Sequence, residues 1–171
     1  MKALRSNWIV LVTAAVLVGL DQLFKWLAIE NLSGIATFPL LDGIFHLTYV
    51  ENRGAAFGIM NGWGIALIIL TTVVLAGLIW LLLKGKFKHP FLLVAITLFI
   101  GGGVGNLIDR VFRQFVVDYL DFRLINFAVF NFADCCIVIG TIFLCIYVLF
   151  LSDKEKKEDE TAEEAVSGEE A

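Results

Sequence analysis

Two aspartates are the residues of this sequence best suited to chemistry. Asp118, in the run VVDYLDF, and Asp134, in the run FNFAD, both lie beside sequence that is apolar enough to enter a lipid bilayer. An ionisable side chain in such a place is energetically unfavourable, so its presence indicates a function. Two neighbouring carboxylates repel each other, which splits their titration and leaves them sharing one proton. Such a pair can serve as base and acid together and hydrolyse an amide bond with water.

The sequence leaves other interpretations of these residues open. Asp118 could be a solvated loop residue, and Asp121 competes with it for a chemical role. Asn131, three residues before Asp134, could hydrogen-bond a carboxylate or a substrate main chain. The motifs typical of serine hydrolases, zinc peptidases, P-loop enzymes and dinucleotide-binding domains are absent from the sequence. Carboxylate chemistry is therefore the best hypothesis.

Neither a metal nor a cofactor is expected. Cys135, Cys136 and Cys145 all lie within one apolar run, where an odd number of cysteines cannot build a secreted disulfide framework. His46 and His89 are not spaced to complete a Cys/His metal set with them. The basic residues form no stripe that would bind nucleic acid.

The surrounding sequence predicts a membrane protein. It is 59% hydrophobic over 171 residues, with a mean hydropathy of +0.85, which is more apolar surface than a soluble domain of this size buries. A helix needs roughly 17 to 25 apolar residues to cross a hydrocarbon core of about 30 Å. We therefore predict four transmembrane helices, at about residues 8–29, 65–83, 90–108 and 133–151.

The distribution of basic residues predicts how these helices are oriented. Eight basic residues flank the helix ends of one side, and four lie in the loops of the other side. Because cytoplasmic segments carry the excess of Lys and Arg, we expect both chain termini in the cytoplasm and both aspartates at the outer face. The eight are Lys2, Arg5, Lys84, Lys86, Lys88, Lys154, Lys156 and Lys157, and the four are Arg53, Arg110, Arg113 and Arg123.

Two outer loops and a tail complete the predicted organisation. Residues 30–64 place Gly and Pro around an aromatic and β-branched stretch, which predicts a small extracytoplasmic sheet of two or three short strands. Residues 109–132 alternate charged and apolar side chains, which predicts an amphipathic segment along the membrane interface. We expect residues 1–152 to form one membrane domain. Residues 153–171, with nine acidic residues and no aromatic one, are expected to be a disordered cytoplasmic tail.

Polar residues within the third predicted helix could support a site or only hold helices together. Gly101 and Gly105 have the GxxxG spacing that lets a neighbouring helix approach closely. Asn106 follows on the same helix and can share a face with Asp109 or Arg110. Asp109 and Arg110 could equally form a structural ion pair at the helix end.

The first helix poses the same question. Asp21 and Lys25 are four residues apart, so their side chains can meet on one helix face. They could neutralise each other structurally, near enough to the helix end for both to reach the headgroups. They could also orient loops or substrate at the outer mouth of a site.

Five segments of the sequence, in order, resemble the motif set of the lipoprotein signal peptidase family, also called signal peptidase II. They are DQLFK at 21–25, ENRGAAFG at 51–58, GGGVGNLIDR at 101–110, VVDYLDF at 116–122 and FNFAD at 130–134. The resemblance extends from the first helix to the fourth and leaves out the acidic tail. The third segment departs from the family's commoner GGAxGN or GAxGN pattern at Val104 and in its run of three glycines.

The resemblance implies an aspartic endopeptidase of the bacterial cytoplasmic membrane. Such an enzyme cuts the signal peptide from prolipoproteins just before a diacylglyceryl-modified cysteine. The resemblance places the two catalytic aspartates on Asp118 and Asp134, and it implies an outer sheet that forms a cradle and an interfacial helix that forms a lid. The family's supporting positions fall on Asp21, Lys25, Asn52, Gly54, Gly102, Asn106, Asp109, Arg110, Asn131 and Ala133.

The expected fold is therefore an all-α membrane protein of four transmembrane helices, with a small extracytoplasmic β-sheet and an interfacial amphipathic helix. Its expected partners are lipid-modified prolipoproteins and membrane lipid, and we expect it to function as a monomer. Two rival functions stay open. A small transporter or proton-relay subunit could use Asp21, Asp109, Asp118 and Asp134, although no internal repeat is visible. An assembly subunit could use the same charges to specify helix pairing.

Overall fold

Four long helices dominate the fold. The computed structural model describes residues 2–35, 37–54 and 64–152, with side chains from Asn7 onward in these ranges. The prediction of four spans is confirmed: the helices are long and apolar enough to cross a membrane over Asn7–Leu32, Gly64–Leu83, Pro90–Phe112 and Phe132–Leu151. The helices themselves are α1 (Lys2–Leu32), α2 (Gly64–Leu83), α3 (Pro90–Phe112) and α4 (Phe132–Ile146), and a π-helical turn (Tyr147–Leu151) continues α4.

Helix α3 is the centre of the bundle because it packs against the other three helices. Its Ile96 and Ile100 are buried in an apolar cluster with Val10 and Ala14 of α1 and Leu75 of α2. The outward faces of the same helices expose large apolar side chains. Exposure of this kind suits a lipid environment, where apolar surface need not be removed from water.

Glycines on α3 allow its neighbours to come close. A Cβ atom added at Gly101 would meet the side chain of Leu17, and one added at Gly105 would meet that of Asp21, so the GxxxG face packs against α1. Gly103 faces Leu75 of α2 in the same way. The contacts at Gly101 and Gly105 confirm the predicted close approach of a helix there and identify that helix as α1.

A three-stranded antiparallel sheet lies at one end of the bundle. It consists of β1 (Thr37–Leu41), β2 (Phe45–Asn52) and β3 (Val116–Phe122), in that order. The first two strands lie in the loop for which the sequence predicts a small sheet. Because β1 and β2 connect α1 to α2, and β3 connects α3 to α4, the sheet adjoins the C-terminal ends of α1 and α3 and the N-terminal end of α4.

The expectation of an interfacial helix is wrong for residues 109–132. Helix α3 continues to Phe112, β3 occupies Val116–Phe122, and a single 3-10 turn covers Arg123–Ile125. The segment VVDYLDF is rich in β-branched and aromatic residues, which favours a strand, and β2 provides the edge with which it pairs. The part of the family resemblance at residues 55–58 and the tail at 153–171 lie outside the described residues.

Packing of Gly102 against α4 generates a first prediction. A Cβ at Gly102 would collide with the backbone oxygen of Ala133 and touch the Cβ of Cys136 at 3.2 Å. We expect Gly102→Ala to lower the free energy of unfolding by about 1–3 kcal/mol, because a backbone atom cannot rotate away from the added methyl group. The matched control is Gly77→Ala, since a Cβ there meets no atom within 4 Å. Thermal unfolding in detergent measures both, and equal midpoints for the two variants would contradict this account of the packing.

Candidate active site

The two candidate aspartates lie on different elements and face the same cavity. Asp118 is in the middle of β3, where it pairs with Val50 of β2, and it is 2% exposed. Asp134 is half-buried in the first turn of α4. Both side chains line a cavity of about 540 Å³. The structure thus brings together the two residues that the sequence analysis singled out.

Asn131 joins the two aspartates. It is the N-cap of α4, where its side-chain oxygen accepts a hydrogen bond from the Asp134 N–H at 3.0 Å and its own N–H donates to Asp134 Oδ2 at 3.2 Å. This reciprocal capping box fixes the rotamer of Asp134 at the helix start. The Asn131 amide nitrogen in turn donates to Asp118 Oδ1 at 2.6 Å. One asparagine therefore fixes the positions of both carboxylates relative to each other.

Three asparagines present N–H groups to the aspartates because a donor fixes the orientation of each amide. Asn52 accepts from the Gly54 N–H at 3.0 Å, which turns its NH₂ group toward Asp118 Oδ2 at 2.9 Å. Asn106 accepts from Lys25 Nζ at 2.8 Å, and a lysine ammonium can only donate. The Asn106 NH₂ group must then face Asp134, and it donates to Oδ1 at 2.8 Å. Among the described residues, each carboxylate receives two N–H hydrogen bonds and no direct salt bridge.

Lys25 sits behind this layer at 0% exposure, in contact with three acceptors. Its ammonium lies 2.9 Å from Asp21 Oδ2, 3.1 Å from Asp109 Oδ2 and 2.8 Å from Asn106 Oδ1. All three N–H donors of the ammonium are thus satisfied without water. Asp21 and Lys25 neutralise each other as one sequence interpretation had it, but both are buried by α3, so neither reaches toward headgroups.

The two carboxylates bound to Lys25 each hold the backbone just before a candidate aspartate. Asp21 Oδ1 accepts from the N–H of Ala133 at 3.1 Å, and Ala133 precedes Asp134. Asp109 Oδ2 accepts from the N–H of Val117 at 3.0 Å, and Val117 precedes Asp118. Through Asp21 and Asp109, one buried lysine therefore positions both the start of α4 and the backbone of β3. We call Asp21, Lys25, Asp109 and Arg113 the buried charge cluster.

Arg113 and Gln22 are functional neighbours that the sequence analysis missed. Arg113 forms an ion pair with Asp109, one helical turn before it, and this pair replaces the predicted partnership of Asp109 with Arg110. The i, i+4 spacing of Asp109 and Arg113 could have revealed it. Gln22 donates to Asp21 at 3.1 Å and to Asp109 at 3.2 Å, and no sequence signal marks it.

Arg110 and Gly54 lie at the edge of the site. The Arg110 guanidinium donates to the Asn106 carbonyl at 3.3 Å and to the Gly54 carbonyl at 3.5 Å. Its positive charge is close enough to Asp134 and Asp118 to interact with both. Arg110 thus connects α3 to the end of β2 beside the candidate aspartates, and it also lines the cavity that they share.

Electrostatics separate Asp118 from its sequence competitor Asp121. Burial raises the pKa of Asp118 from 3.8 to about 7, and the charge of Asp134 acts in the same direction against the hydrogen bonds from Asn52 and Asn131. For Asp121, burial also acts to raise the pKa, but hydrogen bonds from Thr48 and Arg123 outweigh it and leave the pKa below 3.8. Of these two residues, Asp118 is the one whose raised pKa suits a proton donor near neutral pH.

Within the described ranges, no three His, Cys, Asp or Glu side chains are grouped as a metal ion would require. Cys135 lines the shared cavity next to Asp134, and it is a free thiol like Cys136 and Cys145. The groups that face the cavity with polar atoms are carboxylates, amides and a guanidinium. Such a set can activate water and polarise a carbonyl group through proton transfer.

Removing the charge of Lys25 tests the role of the buried charge cluster. We expect Lys25→Met to destabilise the protein by about 3–5 kcal/mol, because it leaves Asp21 and Asp109 buried without their shared counter-charge. The control is Arg53→Gln, which breaks a Glu51–Arg53 pair whose side chains are 40% and 58% exposed and which should lose at most about 1 kcal/mol. Chemical unfolding in detergent compares them. A Lys25→Met protein as stable as the control would show that the cluster does not hold the site.

Comparisons with known proteins give one consistent result. The sequence profile of the family Signal peptidase (SPase) II matches residues 13–150. A lipoprotein signal peptidase of Clostridioides difficile is 50% identical over 142 residues, which cover 82% of this chain and 94% of that protein. A lipoprotein signal peptidase of Bacillus pumilus is 42% identical over 152 residues, 88% of this chain and 97% of that protein.

Solved structures agree with the sequence relatives. A bacterial membrane enzyme structure obtained by the in meso method at 2.3 Å resolution superposes with a TM-score of 0.75 at 32% identity, covering 87% of this chain and 91% of that one. A second such structure, at 1.9 Å resolution, gives a TM-score of 0.73 at the same identity. The family profile spans the sheet and most of the four helices, the relatives and the solved structures each cover most of this chain, and this chain belongs to the signal peptidase II family of peptidases.

Proposed function

We propose that this chain is an aspartic endopeptidase that removes signal peptides from diacylglyceryl-modified prolipoproteins, cutting just before the lipidated cysteine. The observation that carries this proposal is the shared cavity, into which Asp118 and Asp134 project from β3 and α4. Both carboxylates are held by neutral amides, so no directly bonded cation neutralises the charge of the pair. The names of the relatives, which are lipoprotein signal peptidases, support the choice of substrate.

The chemistry assigns a different role to each aspartate. Since the pKa of Asp118 is raised to about 7, Asp118 carries the shared proton and Asp134 carries the charge. Asp134 takes a proton from water as the water oxygen attacks the scissile carbonyl carbon, and Asp118 donates its proton to the carbonyl oxygen. The resulting diol collapses when Asp134 passes its proton to the amide nitrogen and Asp118 takes back a hydroxyl proton, so that the C–N bond breaks and the pair returns to its starting state. No covalent bond to the protein forms.

The setting explains why the substrate would be lipid-modified. The cavity is lined on one side by Ile137, Val138 and Ile139 of α4, whose neighbouring surface is exposed and apolar. A diacylglyceryl group can reach such a surface sideways from the membrane, where each buried CH₂ contributes about 0.8 kcal/mol. In this arrangement the sheet end faces outward, both chain termini are cytoplasmic, and one chain forms the whole site.

The distribution of ionisable groups disfavours the proton-relay alternative. Within the four spans, the Asp, Glu, Lys and Arg residues are Asp21, Lys25, Glu30, Asp109, Arg110 and Asp134, and all lie toward the sheet end. A relay across the membrane needs such groups along its length. The remaining length of each span has none.

Replacing each aspartate tests the proposed function directly. In an assay with a purified, diacylglyceryl-modified precursor peptide, we expect Asp118→Asn and Asp134→Asn each to lower turnover by at least about 10³, because either change disables a cooperating pair. The control is Asp42→Asn in the turn between β1 and β2, which should lose less than about tenfold, since its side chain is 99% exposed and lines neither cavity. The same peptide without its lipid should be a poor substrate. Near-normal turnover by either aspartate variant would rule out the mechanism.

The raised pKa of Asp118 predicts the pH dependence of the reaction. The acid must be protonated, and Asp118 loses its proton as the pH rises through about 7. We therefore expect kcat/KM to fall about tenfold for each pH unit above this value. Thermal midpoints recorded at each pH serve as the control for unfolding. A kcat/KM that stays constant or rises over the two units above the pKa would contradict the assignment of Asp118 as the acid.

A further inference from the structure

The segment between the 3-10 turn and α4 runs back along β3. The chain reverses at Asn126, whose φ is 49°, and then forms an antiparallel bridge between Phe130 and Leu120. Leu120 and Phe130 exchange both backbone hydrogen bonds, with N···O distances of 2.8 and 3.0 Å. Phe130 thus directs its N–H and its C=O toward β3.

Ala128 and Val129 in this segment have no backbone hydrogen bond to any described residue. Both are only half-buried, so their polar backbone groups are accessible. In an extended chain, successive residues direct their N–H and C=O groups to opposite sides. Because Phe130 faces β3, the N–H and C=O of Val129 face away from it. Most backbone polar groups at such depth find a partner, so this donor and acceptor are available to a ligand.

The same two residues separate two cavities of different chemistry. Ala128 and Val129 line both the cavity of about 540 Å³ and a neighbouring one of about 760 Å³, and Asp118 and Asn52 also line both. The smaller cavity is mainly apolar and includes Val116, Phe130, Ile137, Val138 and Ile139. The larger one is polar and includes Glu51, Arg53 and Asn126.

The direction of α4 relates the cavities to a substrate. Helix α4 begins at the sheet end with Asp134 in its first turn, so Ile137 lies about one turn deeper in the bundle. The apolar cavity therefore extends toward the membrane, and the polar cavity lies on the sheet side of Asp118. Consider a polypeptide that begins with an apolar membrane segment and continues with a polar one. It fits this arrangement in one direction only, with its apolar part at the apolar cavity and its polar part at the polar cavity.

We propose that the backbone of Ala128 and Val129, which has no partner among the described residues, binds the main chain of the substrate, which adds to this segment as an extended strand across the aspartate pair. Residues before the cut lie over the apolar cavity, and residues after it lie over the polar cavity. The inference rests on the proposed peptidase function. Strand addition gives main-chain affinity that is independent of sequence, which suits an enzyme that must accept many precursor sequences.

The position of Val129 limits which substrate residues can pair with it, counted from the scissile bond. Val129 lies two residues before Asn131, which holds both aspartates, and two extended residues span roughly 7 Å. The substrate residue that pairs with Val129 is therefore within about two residues of the scissile bond. Neighbouring substrate residues direct their N–H groups away from Val129.

An ester scan of the substrate tests the proposal. Diacylglyceryl-modified precursor peptides are made in which the amide N–H of each of the three residues before the cut is replaced, one at a time, by an ester oxygen. We expect KM to rise about fivefold to tenfold at alternate positions, with kcat nearly unchanged, because each paired N–H contributes one hydrogen bond. A flat profile, or an equal loss at every position, would overturn strand addition.

A variant tests the donor on this segment. Val129→Pro removes the N–H of residue 129, which donates to a substrate carbonyl group, so KM for the all-amide peptide should rise by a similar factor of about five to ten, whereas Val129→Ala keeps the backbone and should keep the alternating ester profile. A folded Val129→Pro protein with the KM of the unaltered protein would overturn the assignment to Val129. If Val129→Pro does not fold, the ester scan on the unaltered protein decides alone. Failure of the unaltered protein to cut the all-amide peptide would instead refute the proposed function.

Discussion

The buried ammonium of Lys25 is the contact on which the rest of the site depends. It is fully enclosed, and its three donors reach Asp21, Asp109 and Asn106, which come from α1 and α3. Through Asp21 it holds the backbone before Asp134, and through Asp109 it holds the backbone before Asp118. Through Asn106 it fixes an amide that donates to Asp134. A membrane interior offers no water to replace any of these contacts, so the arrangement is held tightly.

Two kinds of carboxylate follow from this arrangement. Asp21 and Asp109 are paired with Lys25 and Arg113, so their charges are compensated inside the bundle. Among the described residues, Asp118 and Asp134 receive hydrogen bonds only from neutral amides, and the charge of Arg110 acts on both without a direct ion pair. Burial without a directly paired cation favours the protonated form of a carboxyl group, which is why the pKa of Asp118 is raised to about 7. Asp21 and Asp109 are thus neutralised by direct ion pairs, whereas Asp118 can keep the proton that the proposed chemistry needs.

The sequence predicted the helices and the candidate catalytic residues better than it predicted the segments and hydrogen bonds that connect them. A long apolar run in lipid is stable only as a helix, so the sequence predicted all four spans. Gly101 and Gly105 indicated a close helix contact, which the structure assigns to α1. The segment 109–132 was misjudged because alternation of polar and apolar residues suits both an interfacial helix and a strand, and only pairing with β2 decides between them. Gln22 was missed because three of its four hydrogen bonds, with Gly105, Asp109 and Arg113, join it to a distant part of the chain. Asn131 was singled out from spacing, but its bridge to Asp118 required the tertiary structure.

In the proposed mechanism, Asp118 and Asp134 together hold one proton near neutral pH, and Asp118 carries it. Infrared difference spectroscopy of the protonated carboxyl stretch, recorded across the pKa of about 7, measures this directly. The account predicts a protonated-carboxyl band below that pH which disappears above it, and which is absent throughout in Asp118→Asn while it persists in Asp121→Asn. A band that survives unchanged in Asp118→Asn, or no titrating carboxyl near this pH, would contradict the account.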